Sequence, residues 1–120
     1  MTRINADIPV KELVGKHLLA EHREIKRIPN TIVSGKAKID NIPTEFKLGT
    51  GHVKFFYDKQ KFLLRRYRQL YAECVERGYN VTNYENCWDG IPSGLFNDYK
   101  FTENENNIVR QRIADRLNGK

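Results

Sequence analysis

DKQKFLLRRYRQLYAECVER, running from Asp58 to Arg77, carries the pattern that decides the fold. Phe62, Leu63, Leu64, Tyr67, Leu70, Tyr71, Cys74 and Val75 recur at helical spacing and give the segment a wide apolar face. Gly78 follows as the residue that tolerates the left-handed geometry of a helix end. Downstream, Tyr79 to Phe101 is loop-like and holds Trp88. Thr102 and Glu105 then stand in the spacing of a capping box, opening a further helix in which Val109, Ile113 and Leu117 are expected to face the core. Upstream, Lys16 to about Ile28 has helical periodicity and is expected to stop near Pro29, because a residue before proline avoids helical geometry. Ahead of it, Asp7 is a candidate N-cap and Pro9 suits a first helical turn, with Val10, Leu13 and Val14 in phase until Gly15 interrupts. Asn30 to Gly51, with Pro43, reads as a long irregular connection, the kind of loop that is often functional. No strand alternation competes. The expected fold is all-α, a single domain over residues 1–120 built from three main helices with long irregular loops.

Composition bounds the function. The chain has 120 residues and a mass of 14.1 kDa, so any site must lie on the surface of one unit rather than between two lobes. Hydrophobic residues make up 39% and charged residues 30%, which excludes compositional disorder, and no segment is long and apolar enough to span a bilayer. The N-terminus has no secretory pattern, so a cytoplasmic location in a bacterial or virus-infected cell is expected, with no membrane contact. Lysine and arginine outnumber acids 21 to 15, a net charge of +6, which favours a polyanionic partner. Cys74 and Cys87 have no Cys or His neighbours at metal or redox spacing and read as ordinary thiols.

Winding Lys16 to Ile28 at 100° per residue sorts its side chains. Lys16, Arg23 and Arg27 form one stripe; Val14, Leu18, Ile25 and Ile28 lie opposite; His17 and Glu24 fall on the seam. Taken alone, the spacing favours a plain ion pair between Glu24 and Arg27 across one turn, and the stripe reads as a solvated face. Glu21 falls within the apolar arc, where a charge needs a partner; Arg66 is a plausible one.

The N-terminus shifts the balance. Methionine is usually removed before a residue as small as Thr2, which leaves an α-amine with an ordinary pKa of about 7.7–8. Such an amine is nucleophilic near neutral pH and can form a Schiff base with a sugar carbon. Arg3 beside it would lower that pKa and hold a phosphate close by. Reach is the difficulty. On a straight helix begun at Asp7, Glu24 lies roughly 25 Å along, whereas five extended residues span about 17 Å. A site joining Thr2 to Glu24 therefore requires the chain to turn back near Gly15.

Three stretches, Thr2-Arg3-Ile4-Asn5, His17-Leu18-Leu19-Ala20-Glu21-His22-Arg23-Glu24 and Gly51-His52-Val53-Lys54-Phe55-Phe56-Tyr57-Asp58-Lys59, resemble the pyrimidine-dimer DNA glycosylases of phages, viruses and bacteria. The likeness is colinear and includes Arg77-Gly78-Tyr79-Asn80 and Asn97-Asp98-Tyr99. It implies that the Thr2 amine attacks the sugar of the 5′ nucleotide of a cyclobutane dimer, and that Glu24 stabilises the imine and assists β-elimination. It also implies that Arg3, Arg23 and Arg27 grip phosphates, that His17 lies beside the site, and that Arg112 and Arg116 contact the backbone. No metal or organic cofactor is implied; the partner would be double-stranded DNA containing pyrimidine dimers or abasic sites, bound by a monomer. Lys16, on the same basic stripe, joins the expected DNA contacts. From the residues themselves, Phe55, Phe56 and Tyr57 read as core aromatics and His52 as an internal hydrogen-bonding group.

Three features depart from the pattern: His22 replaces an aromatic, Lys16 stands where glutamine is usual, and no aromatic, basic tail follows the third helix. By resemblance the tail bears on lesion recognition rather than on catalysis. Two other functions fit the sequence, a non-catalytic basic module that binds DNA backbone and a lyase acting mainly on abasic or other damaged sites. The pure binder needs neither a small second residue nor a carboxylate amid arginines.

Overall fold

The computed structural model describes residues 2–119. Five α-helices form: α1 (Gly15–Glu24), α2 (Arg27–Val33), the single turn α3 (His52–Phe55), α4 (Gln60–Glu76) and α5 (Glu103–Leu117). Among the described residues there is no strand, only an isolated antiparallel bridge between Lys59 and Phe96. Among the described residues no helix is long and apolar enough to cross a membrane. The all-α expectation holds, with α1, α4 and α5 as its long members.

The long helix α4 forms the central element. Phe62, Leu63, Tyr67, Leu70 and Cys74 are buried along it, while Val75 is 54% exposed. Gly78 ends the helix at a φ of 80°, the left-handed geometry expected of it. Around its N-terminal half Phe46, Phe55, Phe56, Phe62, Tyr99 and Phe101 pack largely edge to face, with Phe46 and Phe101 centroids 5.1 Å apart. Phe55 and Phe56 are thus core residues, and Tyr57 is partly buried. The capping box of α5 is complete, with Glu105 N donating to Thr102 Oγ1 at 3.1 Å and Thr102 N to Glu105 Oε1 at 2.9 Å.

Two expectations on the basic helix are corrected. It does not run unbroken to Pro29: α1 ends at Glu24, and α2 begins at Arg27 with Pro29 inside its first turn, where a missing N–H costs nothing. A continuous helix would have left the Ile25 carbonyl without the donor that Pro29 lacks; in the break Ile28 N donates to it at 3.3 Å. Val14 is also not part of the buried face; it caps α1 and is 42% exposed, whereas Leu18, Ile25 and Ile28 are fully buried.

Ahead of α1 no α-helix starts at Asp7. Pro9 precedes one 3₁₀ turn, Val10–Glu12, and Leu13 is extended. Asp7 is exposed and its N–H donates to Asn106 Oδ1 at 3.2 Å. The segment before the 3₁₀ turn runs through the interior and buries Ile4, Asn5, Ala6 and Ile8, with a tight turn at Ala6 (φ 49°) and Asp7 in which Ile8 N donates to the Asn5 carbonyl at 3.1 Å. The chain then reverses into Gly15, where an added Cβ would press into the Tyr79 hydroxyl. At the far end, Val109 is buried and Ile113 partly so, but Leu117 is 56% exposed because the last turn of α5 leaves the core.

Candidate active site

A small pocket of about 40 Å3 opens where the N-terminal segment passes between α1 and α5. Helical spacing aligns His17, Ala20, Glu21 and Glu24 on one wall, α5 supplies Arg112, Ile113 and Arg116 on the other, and Arg3 and Asn5 lie between them. The chain reversal needed to bring the N-terminus to Glu24 is present. Arg3 N donates to Glu24 Oε1 at 3.1 Å, so partly buried Thr2 is one residue from a hydrogen bond to that carboxylate.

Glu24 does not pair with Arg27. Its Oε2 lies 3.7 Å from Arg23 Nη2, and the Glu24 side chain keeps 14% of its surface exposed. Arg27 now begins α2, where it is exposed, and Lys16 and Arg23 are exposed as well. These three cations do not line the pocket, whereas Arg3, His17, Arg112 and Arg116 do.

The floor of the pocket is a closed polar network. Arg66 donates to Glu21 from Nε at 2.8 Å and from Nη2 at 3.0 Å, and both side chains are 1% exposed. The partner expected for Glu21 is therefore the one found. Arg66 Nη1 also donates to the Ile8 carbonyl. Asn5 Nδ2 donates to Glu21 Oε1 at 2.8 Å, and Asn5 Oδ1 accepts from Arg112 Nη2 at 2.9 Å. Arg112 Nη2 also lies 3.3 Å from the Ile4 carbonyl. Ile4 N donates to His52 Nε2 at 2.9 Å, which sets the tautomer: Nδ1 carries the proton and donates to the Lys47 carbonyl at 2.8 Å. His52 is thus the internal hydrogen-bonding residue that was expected. Sequence spacing gives no signal that places Asn5 or His52 at the site.

Electrostatics keep the histidines here neutral. Burial pushes the His52 pKa down to about 4, against a smaller opposing effect of the Lys47 carbonyl. His17 is lowered by burial first, then by Lys16, Arg112 and Arg3, and its Nδ1 has no partner among the described residues. Arg112 is lowered by burial and by the charge of Arg3. A carboxylate reached by the chain's own N-terminus, flanked by neutral imidazole and several guanidinium groups, can offset a cation formed at that terminus while neighbouring cations hold anions. Among the described residues no three His, Cys, Asp or Glu side chains are grouped to hold a metal ion.

Comparison with protein families matches residues 1–84 to the family model described as pyrimidine dimer DNA glycosylase. The match takes in the N-terminal segment, α1 and α4; Arg112 and Arg116 lie beyond it.

Proposed function

The chain belongs to the pyrimidine dimer DNA glycosylase family, and from that membership we propose that it cleaves the N-glycosidic bond of the 5′ pyrimidine of a cyclobutane dimer and then nicks the resulting abasic site through an imine on Thr2. The observation that carries this reading is the bond from Arg3 N to Glu24 Oε1, which brings the N-terminus to a carboxylate. The reactive form has lost Met1, which lies outside the described residues, so that Thr2 bears the free amine.

The amine's lone pair forms a bond to C1′, and the N-glycosidic bond breaks with its electrons and a proton going to the base. The sugar ring opens as O4′ takes a proton, leaving a cationic imine between Thr2 and C1′. The Glu24 carboxylate opposes that positive charge and relays protons. Loss of a C2′ proton sends electrons into the imine, and the C3′–O bond breaks with its pair on the departing phosphate. Water then releases the sugar and restores the amine. Arg3, Arg23, Arg27, Lys16 and Arg116 supply cations for the phosphates, and neutral His17 leaves the amine uncrowded by further charge.

Borohydride trapping tests this. Incubation with a dimer-containing duplex and, separately, an abasic duplex should give a covalent adduct on both. Absence of adduct on both duplexes would sink the enzymatic reading, whereas adduct on the abasic duplex alone would restrict the protein to lyase activity. A protein that keeps Met1 should trap neither.

A further inference from the structure

An amine at a chain end reacts well only if the end is held, because terminal residues are ordinarily the least ordered part of a domain. The bond from Arg3 to Glu24 fixes one point, and another is needed to set direction. Asn5 supplies it. Its side chain is the member of the N-terminal segment that bonds to α1 and α5 together, giving its amide N–H to Glu21 and its amide oxygen to Arg112. Asn5 is 7% exposed, so these bonds form away from water. Glu21 cannot drift to follow a displaced Asn5, because Arg66 holds both of its oxygens.

The chemistry specifies the residue. One end of the side chain must donate to a carboxylate and the other must accept from a guanidinium, which an amide does and neither a carboxylate nor a hydrocarbon can. Arg112 gives Nη2 to Asn5 and to the Ile4 carbonyl. That leaves less of its guanidinium for a phosphate than exposed Arg116 retains.

We propose that Asn5 is a positioning residue that aims the Thr2 amine at the substrate by clamping the N-terminal segment between Glu21 and Arg112, with Arg112 serving this clamp before it serves DNA. The proposal rests on the amine reading above. Its effect is on the rate of imine formation and not on DNA affinity.

The test uses the Met1-free protein and an abasic duplex, with single-turnover borohydride trapping, DNA binding by anisotropy, and folding by circular dichroism measured together. Asn5→Ala should trap about a hundredfold more slowly, the cost of misplacing a reacting group by an ångström or so, with Kd held within about threefold. Asn5→Asp should be slower still, since it faces Glu21 with a second carboxylate; adding Glu21→Gln restores a donor–acceptor pair and should recover about tenfold of the lost rate. Recovery of rate without recovery of affinity is an outcome that a purely structural role would not give. Folded Asn5→Ala trapping within about threefold of the parent would overturn the clamp, as would a loss confined to Kd. If Asn5→Ala does not fold, the Asn5→Asp pair decides, and equal trapping with and without Glu21→Gln overturns the proposal. No adduct from the parent protein would reject the amine reading itself, whereas adduct from parent and Asn5→Ala alike rejects the clamp alone.

Discussion

Glu21 and Glu24 lie one helical turn apart on α1 and touch the same N-terminal segment, yet their surroundings are opposite. Glu21 is saturated: Arg66 takes both oxygens, Asn5 takes one again, and the pair is 1% exposed. Glu24 has a single backbone bond from Arg3, a looser cation 3.7 Å away, and remains partly open to the pocket. A saturated carboxylate holds a structure together, whereas an unsaturated one is available to meet a charge that appears during a reaction. Helical winding already places Glu21 within the apolar arc and Glu24 on the seam, and the contacts that the rest of the chain brings to each complete the difference.

The largest expected effect comes from opening the saturated side. Glu21→Ala leaves Arg66 charged and buried without its counter-ion, which should lower the unfolding free energy by about 3–5 kcal/mol in urea titration. A loss below about 1 kcal/mol would place this pair with ordinary surface bridges and remove the contrast. The reverse pattern is expected at the open carboxylate. Glu24→Gln keeps the acceptor for Arg3 N but removes the charge, so strand cleavage should fall about 100- to 1000-fold while the urea midpoint and Kd for damaged duplex hold. Full cleavage by that variant would take Glu24 out of the mechanism.

A smaller effect tests how the segment between the two carboxylates is held. His52 must stay neutral to accept from Ile4, and its folded pKa of about 4 lies below the unfolded value of 6.5. The unfolded chain therefore binds the extra proton between these values. The stabilisation is complete above pH 6.5 and is lost as pH falls toward 4, amounting to about 3–4 kcal/mol across the window. His17 and His22 are also lowered, both by burial first, and contribute in the same sense. His52→Gln should flatten the acid side of the stability profile without abolishing it, and an unchanged slope would assign the pH dependence to the other two histidines.

Much of this fold was legible locally. The apolar face of α4, the glycine that closes it and the capping box of α5 are each written in a single stretch of residues, and each formed as expected. The break between α1 and α2 was not legible from periodicity, because Ile25 and Ile28 are fully buried on both sides of it and keep phase across it. Its cause is the lost donor at Pro29, which acts on the carbonyl of Ile25 instead of on the residue just before the proline. At the N-terminus, Ile4, Asn5, Ala6 and Ile8 are buried without strand alternation, because the chain turns at Ala6 (φ 49°) and Asp7, so no periodic pattern competes there with the helix-start signal at Asp7 and Pro9. The turn back near Gly15 is dictated by the distance between Thr2 and Glu24 rather than by any residue pattern. Asn5 leaves no periodic trace, because it is buried in a row with Ile4 and Ala6 by tertiary contacts rather than by a local pattern.

The contrast between the two glutamates recurs on the facing helix as Arg112 and Arg116. Arg112 is partly buried and bonded to Asn5 and the Ile4 carbonyl, whereas Arg116 is exposed with no acidic partner among the described residues. Each phosphate neutralised releases condensed counter-ions, so the dependence of log Kd on log salt reports how many cations touch DNA, with a change of about 0.9 per phosphate. Arg116→Ala should therefore reduce the salt slope by about 0.9 and weaken binding by about 1 kcal/mol or less at moderate salt. Arg112→Ala should leave the slope nearly unchanged and instead slow adduct formation, because the group it serves is the N-terminal segment. Equal reductions of slope from the two variants would make both arginines phosphate contacts, and the division of α5 into a holding residue and a binding residue would then fail.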